Sequence, residues 1–244
     1  MAVGALAVAA VPVTILAYAS THGWAPLHSV DAGTANHLHT WVAGRPGLAR
    51  FFEDVSSVFQ PQVLRAATAI IVILLLLRRQ RRLAAWAGVT MIAAAVLGDG
   101  LKALVSRARP QLPNAIASAP GFSFPSGHAV NSIAFFAMLV LLVTSLLSRR
   151  VGVLVWVMAT ILVVLVGFSR VALGVHYVSD VVAGWLLGAG LVGVTAAAFH
   201  SWRRSRGEGS GPVLVEGVDP VGTQRAVSGE SDVEDSHEDS AVPS

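Results

Sequence analysis

The chain has 244 residues, 54% of them hydrophobic and 13% charged, with a mean hydropathy of +0.66 and a formal charge of +3. Soluble domains carry about a quarter charged residues, so this balance excludes an ordinary soluble fold and indicates an all-α, polytopic membrane protein. The lack of cysteine excludes disulfides, thiolate metal sites and a cysteine nucleophile, and the uneven charge, basic in short loops and acidic in the C-terminal segment, is a topology signal and not a nucleic-acid footprint.

The apolar residues fall in blocks of about 17–22, long enough for a helix to cross a hydrocarbon core of about 30 Å. The short alternating strands of a membrane barrel are not in the pattern. Residues 2–19 form the first predicted span. They begin without Lys or Arg, unlike a secretory signal, although cleavage after Ala17-Tyr18-Ala19 is the alternative. Residues 20–62 are more polar, with turn signals at Pro26, Gly33, Gly44, Pro46 and Pro61. Short interfacial helices are expected over 35–42 and 48–59, anchored by Trp41, Phe51, Phe52 and Phe59. His22, His28, His37 and His39 lie here too. A metal needs three or four convergent ligands, which nothing in this spacing fixes, so they are read as solvated interfacial histidines.

The second span is 63–77, with Arg65 snorkelling near its outer end, and Arg78, Arg79, Arg81 and Arg82 follow. The third, 83–97, ends in Gly98-Asp99-Gly100. The fourth, 129–147, is followed by Arg149 and Arg150. The fifth is 151–168. The sixth, 178–199, is followed by Arg203, Arg204 and Arg206. Six spans put all three arginine clusters on one side, which the positive-inside rule makes cytoplasmic. Both termini are then cytoplasmic, and the loops 20–62, 98–128 and 169–177 face outward. Five or seven spans would scatter the arginines. Gly184 and Gly188, with Gly190 and Gly193, allow close helix approach, expected within the monomer and not at a dimer seam. Residues 1–206 are thus one six-span domain, and 207–244, rich in Gly, Ser, Pro, Glu and Asp, are expected to be a disordered acidic cytoplasmic tail.

Three outer-face segments carry chemistry. In Lys102-Ala-Leu-Val-Ser-Arg-Ala-Arg109-Pro110, two helical turns would bring Lys102 and Arg109 to one face before Pro110 ends the helix. Cations outside run against the usual bias, and an anionic ligand explains them. In Phe124-Pro125-Ser126-Gly127-His128, the last three residues are expected to open the fourth helix. Free N–H groups and the positive dipole end make a phosphate seat there, Ser126 adds a hydroxyl, and His128 is placed to protonate a leaving oxygen. Alone, this segment reads more readily as a simple helix N-cap. In Ser169-Arg170 through His176 to Asp180, a helix starting near Val175 would place His176 and Asp180 on one face. The carboxylate would fix the imidazole tautomer and leave the other nitrogen free to attack, while Arg170 suits phosphate oxygens. Together these groups form a cationic cradle with a nucleophile and an acid. No carboxylate cluster suggests a metal or other cofactor, which fits metal-independent phosphoryl transfer.

The three segments together resemble the signatures of the type 2 phosphatidic acid phosphatase family, membrane relatives of the vanadium haloperoxidases. They stand as Lys102…Arg109-Pro110, Pro125-Ser126-Gly127-His128, and Ser169-Arg170…His176…Asp180, complete and in order within a signature core of about 83–199. The resemblance implies His176 as nucleophile forming a phosphohistidine, Asp180 orienting it, and His128 as acid and then base. It implies Lys102, Arg109, Ser126, Gly127 and Arg170 around the phosphoryl oxygens, with Ser169 shaping the turn. Asp99 is read as facing water, with pairing to Lys102 the alternative, and Arg107 as interfacial. The implied substrate is a membrane lipid phosphate or diphosphate: a polyprenyl diphosphate of the undecaprenyl type, phosphatidylglycerol phosphate or phosphatidic acid. The alternatives are a vanadate-dependent haloperoxidase, a phosphatase of a soluble ester, and a non-catalytic lipid-phosphate binding or transport protein. The oligomeric state is left open.

Overall fold

A computed structural model describes residues 2–113 and 116–205. Among these the chain is entirely helical, without strands. The helices are α1 (Ala2–Thr21), α2 (Ala25–Ala43), α3 (Pro46–Val58), α4 (Pro61–Leu77), α5 (Arg81–Val105), α6 (Gly127–Val143), α7 (Arg149–Ala172) and α8 (Val178–Ser205), with a 3-10 turn at Thr144–Leu146. Five segments are long and apolar enough to cross a membrane: Pro46–Leu77, Arg81–Val105, Gly127–Leu146, Arg149–Ala172 and Val178–Arg203. Ala9–Thr21 of α1 is a shorter apolar stretch, so five of the six expected spans are found at full length among the described residues. The expected tail 207–244 lies outside the described residues.

The bundle is organised around α6, which buries Val130, Ala134, Phe135, Phe136, Met138 and Val140 against α4, α5, α7 and α8. Lipid tails are as apolar as these side chains, so burial alone does not hold the helices together. Close packing must do so, and α8 shows how. A Cβ on Gly184 would lie 2.8 Å from Ala129 Cβ, one on Gly188 2.7 Å from the Val130 carbonyl oxygen, and one on Gly190 2.2 Å from Ala9 Cβ. These glycines seat α8 on α6 and α1 within one chain, as the sequence led us to expect.

Two expectations about element boundaries are corrected. Gly98-Asp99-Gly100 does not end the third span, because α5 runs on to Val105. Gly98 is buried in the helix beside Val130 of α6, and the helix stops where Ser106 turns left-handed at φ 50°. Segment 20–62 holds two full helices in place of two short ones, each opened by a first-turn proline, Pro26 in α2 and Pro46 in α3. Phe52 and Phe59 are also not interfacial anchors. Phe52 is buried 5.5 Å from the Phe168 ring, and Phe59 packs 5.7 Å from Phe136, so α3 is fastened to α7 and α6. Trp41 and Phe51 do remain exposed.

Candidate active site

The C-terminal ends of α5 and α7 and the N-terminal ends of α6 and α8 meet at one end of the bundle, covered by α2 and α3. Connectivity places the arginines at 78–82, 149–150 and 203 at the opposite end. All three signature segments lie at the covered end.

Ser126 is the N-cap of α6, so the helix opens at Gly127 and not at Ser126. The Ser126 N–H donates to the Asp180 carbonyl at 2.9 Å, tying the start of α6 to the start of α8. The next N–H groups of α6 have no intrahelical acceptor and bring the positive end of the helix dipole to the site. Lys102 Nζ lies over Gly127, 3.3 Å from where a Cβ would sit. Ser126 Oγ and Arg170 Nε are buried polar atoms without partners. Donors that are costly to leave unpaired, gathered beside three cations, describe an anion seat.

Lys102 and Arg109 do converge here, but not by helical register. Lys102 is in the last turn of α5, whereas Arg109 follows the left-handed Ser106 on a non-helical stretch of chain. Arg109 is held by the carbonyls of Pro120, Gly121, Phe122 and Val175 at 2.8–3.1 Å, and it donates to His176 Nε2 at 3.1 Å. A guanidinium only donates, so His176 Nε2 is the unprotonated nitrogen and the proton sits on Nδ1. Burial lowers the Arg109 pKa, and Asp180 acts against that.

His176 Nδ1 faces Asp180 Oδ2 at 3.4 Å. The expected shared helical face is not the reason. His176 precedes α8, and Asp180, in the first turn, accepts the Tyr177 N–H at 2.9 Å and so curls the chain back over His176. The main-chain N–H groups of Val175 and His176 donate to the Arg170 carbonyl. Gly174 makes this turn possible: its φ is +74°, and a Cβ there would lie 2.7 Å from Leu112. Burial brings the His176 pKa down to about 4, against the opposing pull of Asp180. Ser169 is buried in the last turns of α7, its Oγ donating to the Val166 carbonyl.

His128 stands on the other side of the seat. Its Nε2 lies 3.2 Å from the Ser56 carbonyl oxygen and 3.3 Å from Ser56 Oγ. A carbonyl can only accept, so this nitrogen carries the proton. Arg170 also donates to Ser56 Oγ. Ser56, on α3, therefore braces both the acid candidate and a phosphate-side cation. Sequence reasoning missed it, because a serine inside a predicted interfacial helix, outside the three signature segments, offers no signal of its own. Arg65 does not snorkel; it donates to Asn131 Oδ1 at 3.0 Å, and Asn131 in turn donates to the Gly127 carbonyl.

Three further readings are corrected. Arg107 is not interfacial but buried, donating to Asp180 Oδ1 at 2.6 Å, Asp31 Oδ2 at 2.7 Å and Ser179 Oγ at 2.7 Å, with its guanidinium 4.1 Å from the Tyr177 ring centroid. Carboxylates on two helices account for its burial. Asp99 pairs with Arg65 at 3.5 Å and not with Lys102, though it stays largely exposed. His39 is buried and not solvated, its Nε2 3.0 Å from the Pro113 carbonyl oxygen. Among the described residues no group of three or more His, Asp or Glu is placed to hold a metal ion.

The PAP2 superfamily model matches residues 83–204, half of the chain. The chain is 34% identical over 110 residues to phosphatidylglycerophosphatase B of Bacillus subtilis, covering 42% of this chain and 53% of that protein. It is 36% identical over 106 residues to undecaprenyl-diphosphatase of Sulfolobus acidocaldarius, covering 41% and 48%. It thus spans about half the length of the curated relatives it matches. The crystal structure of the first transmembrane PAP2 type phosphatidylglycerolphosphate phosphatase from Bacillus subtilis superposes with a TM-score of 0.69 at 21% identity, over 81% of this chain and 98% of that one, a likeness of fold.

Proposed function

The chain belongs to the PAP2 superfamily, and on that premise we propose that it is an integral-membrane lipid phosphatase acting through a phosphohistidine without a metal. The observation that carries this reading is the unprotonated Nε2 of buried His176, aimed at Arg109 within a seat made by Lys102, Ser126, Arg170 and the start of α6. Lys102, Arg109, Ser126, Gly127 and Arg170 hold the phosphoryl oxygens, where charge spreads in a loose transition state. His176 Nε2 attacks phosphorus as the bond to the leaving oxygen breaks, and His128, entering the step as the imidazolium with its Nε2–H held on Ser56, gives that oxygen its Nδ1 proton and is left as the neutral ring. Asp180 stabilises the positive charge growing on the His176 ring. Water then attacks the phosphohistidine, yielding its proton to His128, and inorganic phosphate departs. Ser169 supports the turn that presents His176.

The substrate is a lipid phosphate or diphosphate: phosphatidylglycerol phosphate, a polyprenyl diphosphate or phosphatidic acid. Supporting a lipid is a groove of about 380 Å³ between α4 and α5, walled by Val72, Ile73, Met91 and Ile92, with Arg65 on its rim. Residues 1–206 act as one domain whose spans include α1. Because the arginines lie at the end opposite the site, the positive-inside rule puts both termini in the cytoplasm and the site outside. Single cysteines at Gly33 and Ser148 of this cysteine-free chain test that: an impermeant maleimide should label only the first on intact cells, and labelling of the second alone would invert the topology.

The deciding assay is phosphate release in detergent micelles with excess chelator, using those three lipids and a soluble ester, with His176→Ala as control. Turnover that survives chelation and vanishes in the variant supports the reading. No turnover from folded protein favours a binding or transport role, and full turnover by His176→Ala refutes the nucleophile.

A further inference from the structure

The mechanism above leaves one buried charge cluster unused. Arg107 bridges Asp180, the partner of His176, to Asp31 on α2. Asp31 is 1% exposed and doubly anchored at Ser179, accepting its N–H at 3.0 Å on Oδ1 and its hydroxyl at 2.5 Å on Oδ2. Asp31 lies outside the stretch that matches the PAP2 superfamily model. We propose that Asp31 and Arg107 are positioning residues for the nucleophile, with Asp31 dividing the charge of Arg107 so that Asp180 stays anionic toward His176; this rests on the phosphatase reading.

The geometry gives each oxygen of Asp180 a separate task. Oδ1 is taken by Arg107, and Oδ2 faces His176 Nδ1 and accepts the Tyr177 N–H. An unshared guanidinium on Oδ1 would neutralise the carboxylate just as the imidazole ring needs a negative partner. Asp31 takes the second arm of the same guanidinium through NH2, so the three groups carry one net negative charge. That charge is what a ring becoming cationic during phosphoryl transfer can use, because the other charged neighbours of His176 are Arg109 and Arg170, both opposed to it. Stacking on Tyr177 and the bond to Ser179 fix the plane of the guanidinium. None of these groups belongs to the phosphate seat, so their loss should slow the chemical step and leave substrate binding intact.

The test is steady-state kinetics of the full chain in micelles, with a polyprenyl diphosphate or phosphatidylglycerol phosphate, whichever the wild type turns over. Asp31→Asn keeps the size of the side chain and one acceptor for the Ser179 N–H, and removes the charge together with the acceptor oxygen that faces Arg107. The expected result is a kcat lower by about 10- to 100-fold with KM within about twofold, the split left when only transition-state stabilisation is lost. In an Arg107→Met background Asp31→Asn should have no further effect on kcat, because its route runs through Arg107. Should Asp31→Asn not fold, Ser179→Ala loosens Asp31 and Arg107 with every charge retained and should lower kcat by about threefold or more at constant KM, in line with the loss of the two buried hydrogen bonds of its hydroxyl. Unchanged kcat in a folded variant, equal effects with and without Arg107, or a rise in KM alone overturns the proposal. Those failures leave the phosphatase reading standing, whereas a wild type without His176-dependent turnover would remove both.

Discussion

Gly184→Ala is a single-methyl change with a large expected consequence. The added Cβ would sit 2.8 Å from Ala129 Cβ and 2.9 Å from the Ser126 carbonyl oxygen, where ordinary contacts are 3.4–4 Å. Both obstacles are fixed in the first turn of α6, so no flexible side chain can yield. The helices must part by about half an ångström or more, and overpacking of this kind costs about 1–3 kcal/mol. Helix propensity alone would favour alanine by about 1 kcal/mol, so the clash has to outweigh a gain. Gly184 is one turn below Asp180, whose carbonyl receives the Ser126 N–H, so the separation falls on the link between the phosphate seat and the nucleophile. Misplacements of about 1 Å cost on the order of 10²-fold in rate. We therefore expect Gly184→Ala to melt several degrees below wild type in detergent and to lose at least tenfold in kcat/KM. Gly33→Ala is the control, since nothing lies within 4 Å of the point where its Cβ would fall. It should be neutral or slightly stabilising. A Gly184→Ala protein with wild-type melting and turnover would refute the claim that α8 is seated on α6 at this point.

Two further outcomes follow from the site. Ser56→Ala deprives Arg170 of its side-chain acceptor while leaving His128 the backbone carbonyl, so kcat/KM should fall by about 10- to 100-fold, the value of one buried charge-assisted hydrogen bond; unchanged kinetics would mean that α3 does not brace the site. For pH, the His176 ring has a native pKa of about 4 against about 6.5 in an unfolded chain. Below pH 6.5 the unfolded chain takes up a proton there that the native state refuses until about pH 4, so stability is lost as pH falls through that window. The drop in melting temperature between pH 7.5 and pH 5 should be smaller in His176→Asn than in wild type, and equal drops would show that the ring is not held neutral.

The candidate-site groups at the start of α6 were legible because their chemistry is local. Ser126, Gly127 and His128 are consecutive, and a serine before a glycine at the head of an apolar helix states its own geometry. His176 and Asp180 were paired correctly for the wrong reason, since a capping turn and not a helical face brings them together. Lys102 and Arg109 likewise converge through a left-handed Ser106 that helical counting does not foresee. What stayed hidden acts across long separations: Ser56 meets Arg170, and Asp31 meets Arg107. A signal for Asp31 did exist in its scarcity. Before the acidic C-terminal segment the chain has five acids, Asp31, Glu53, Asp54, Asp99 and Asp180, and an acid that rare near a membrane asks for a partner.

That scarcity also sorts the cations at the covered end of the bundle. Arg107 is matched by Asp31 and Asp180, and Arg65 by Asp99. Among the described residues no carboxylate pairs with Lys102, Arg109 or Arg170, which are held by carbonyls, a serine hydroxyl or the contact over Gly127. Buried or half-buried positive charge without a carboxylate is costly to maintain, and three such charges around one helix N-terminus lower that cost only when an anion joins them. The division between matched and unmatched cations therefore separates groups that shape the protein from groups that meet its ligand. On that criterion, adding a carboxylate should do more damage than removing a cation. Gly127→Asp, placed under Lys102 Nζ, would supply the missing anion from the protein itself, so it should abolish phosphate binding while leaving the fold stable. A Gly127→Asp protein that still turned over a lipid phosphate near the wild-type rate would mean that Lys102 is not reserved for the ligand.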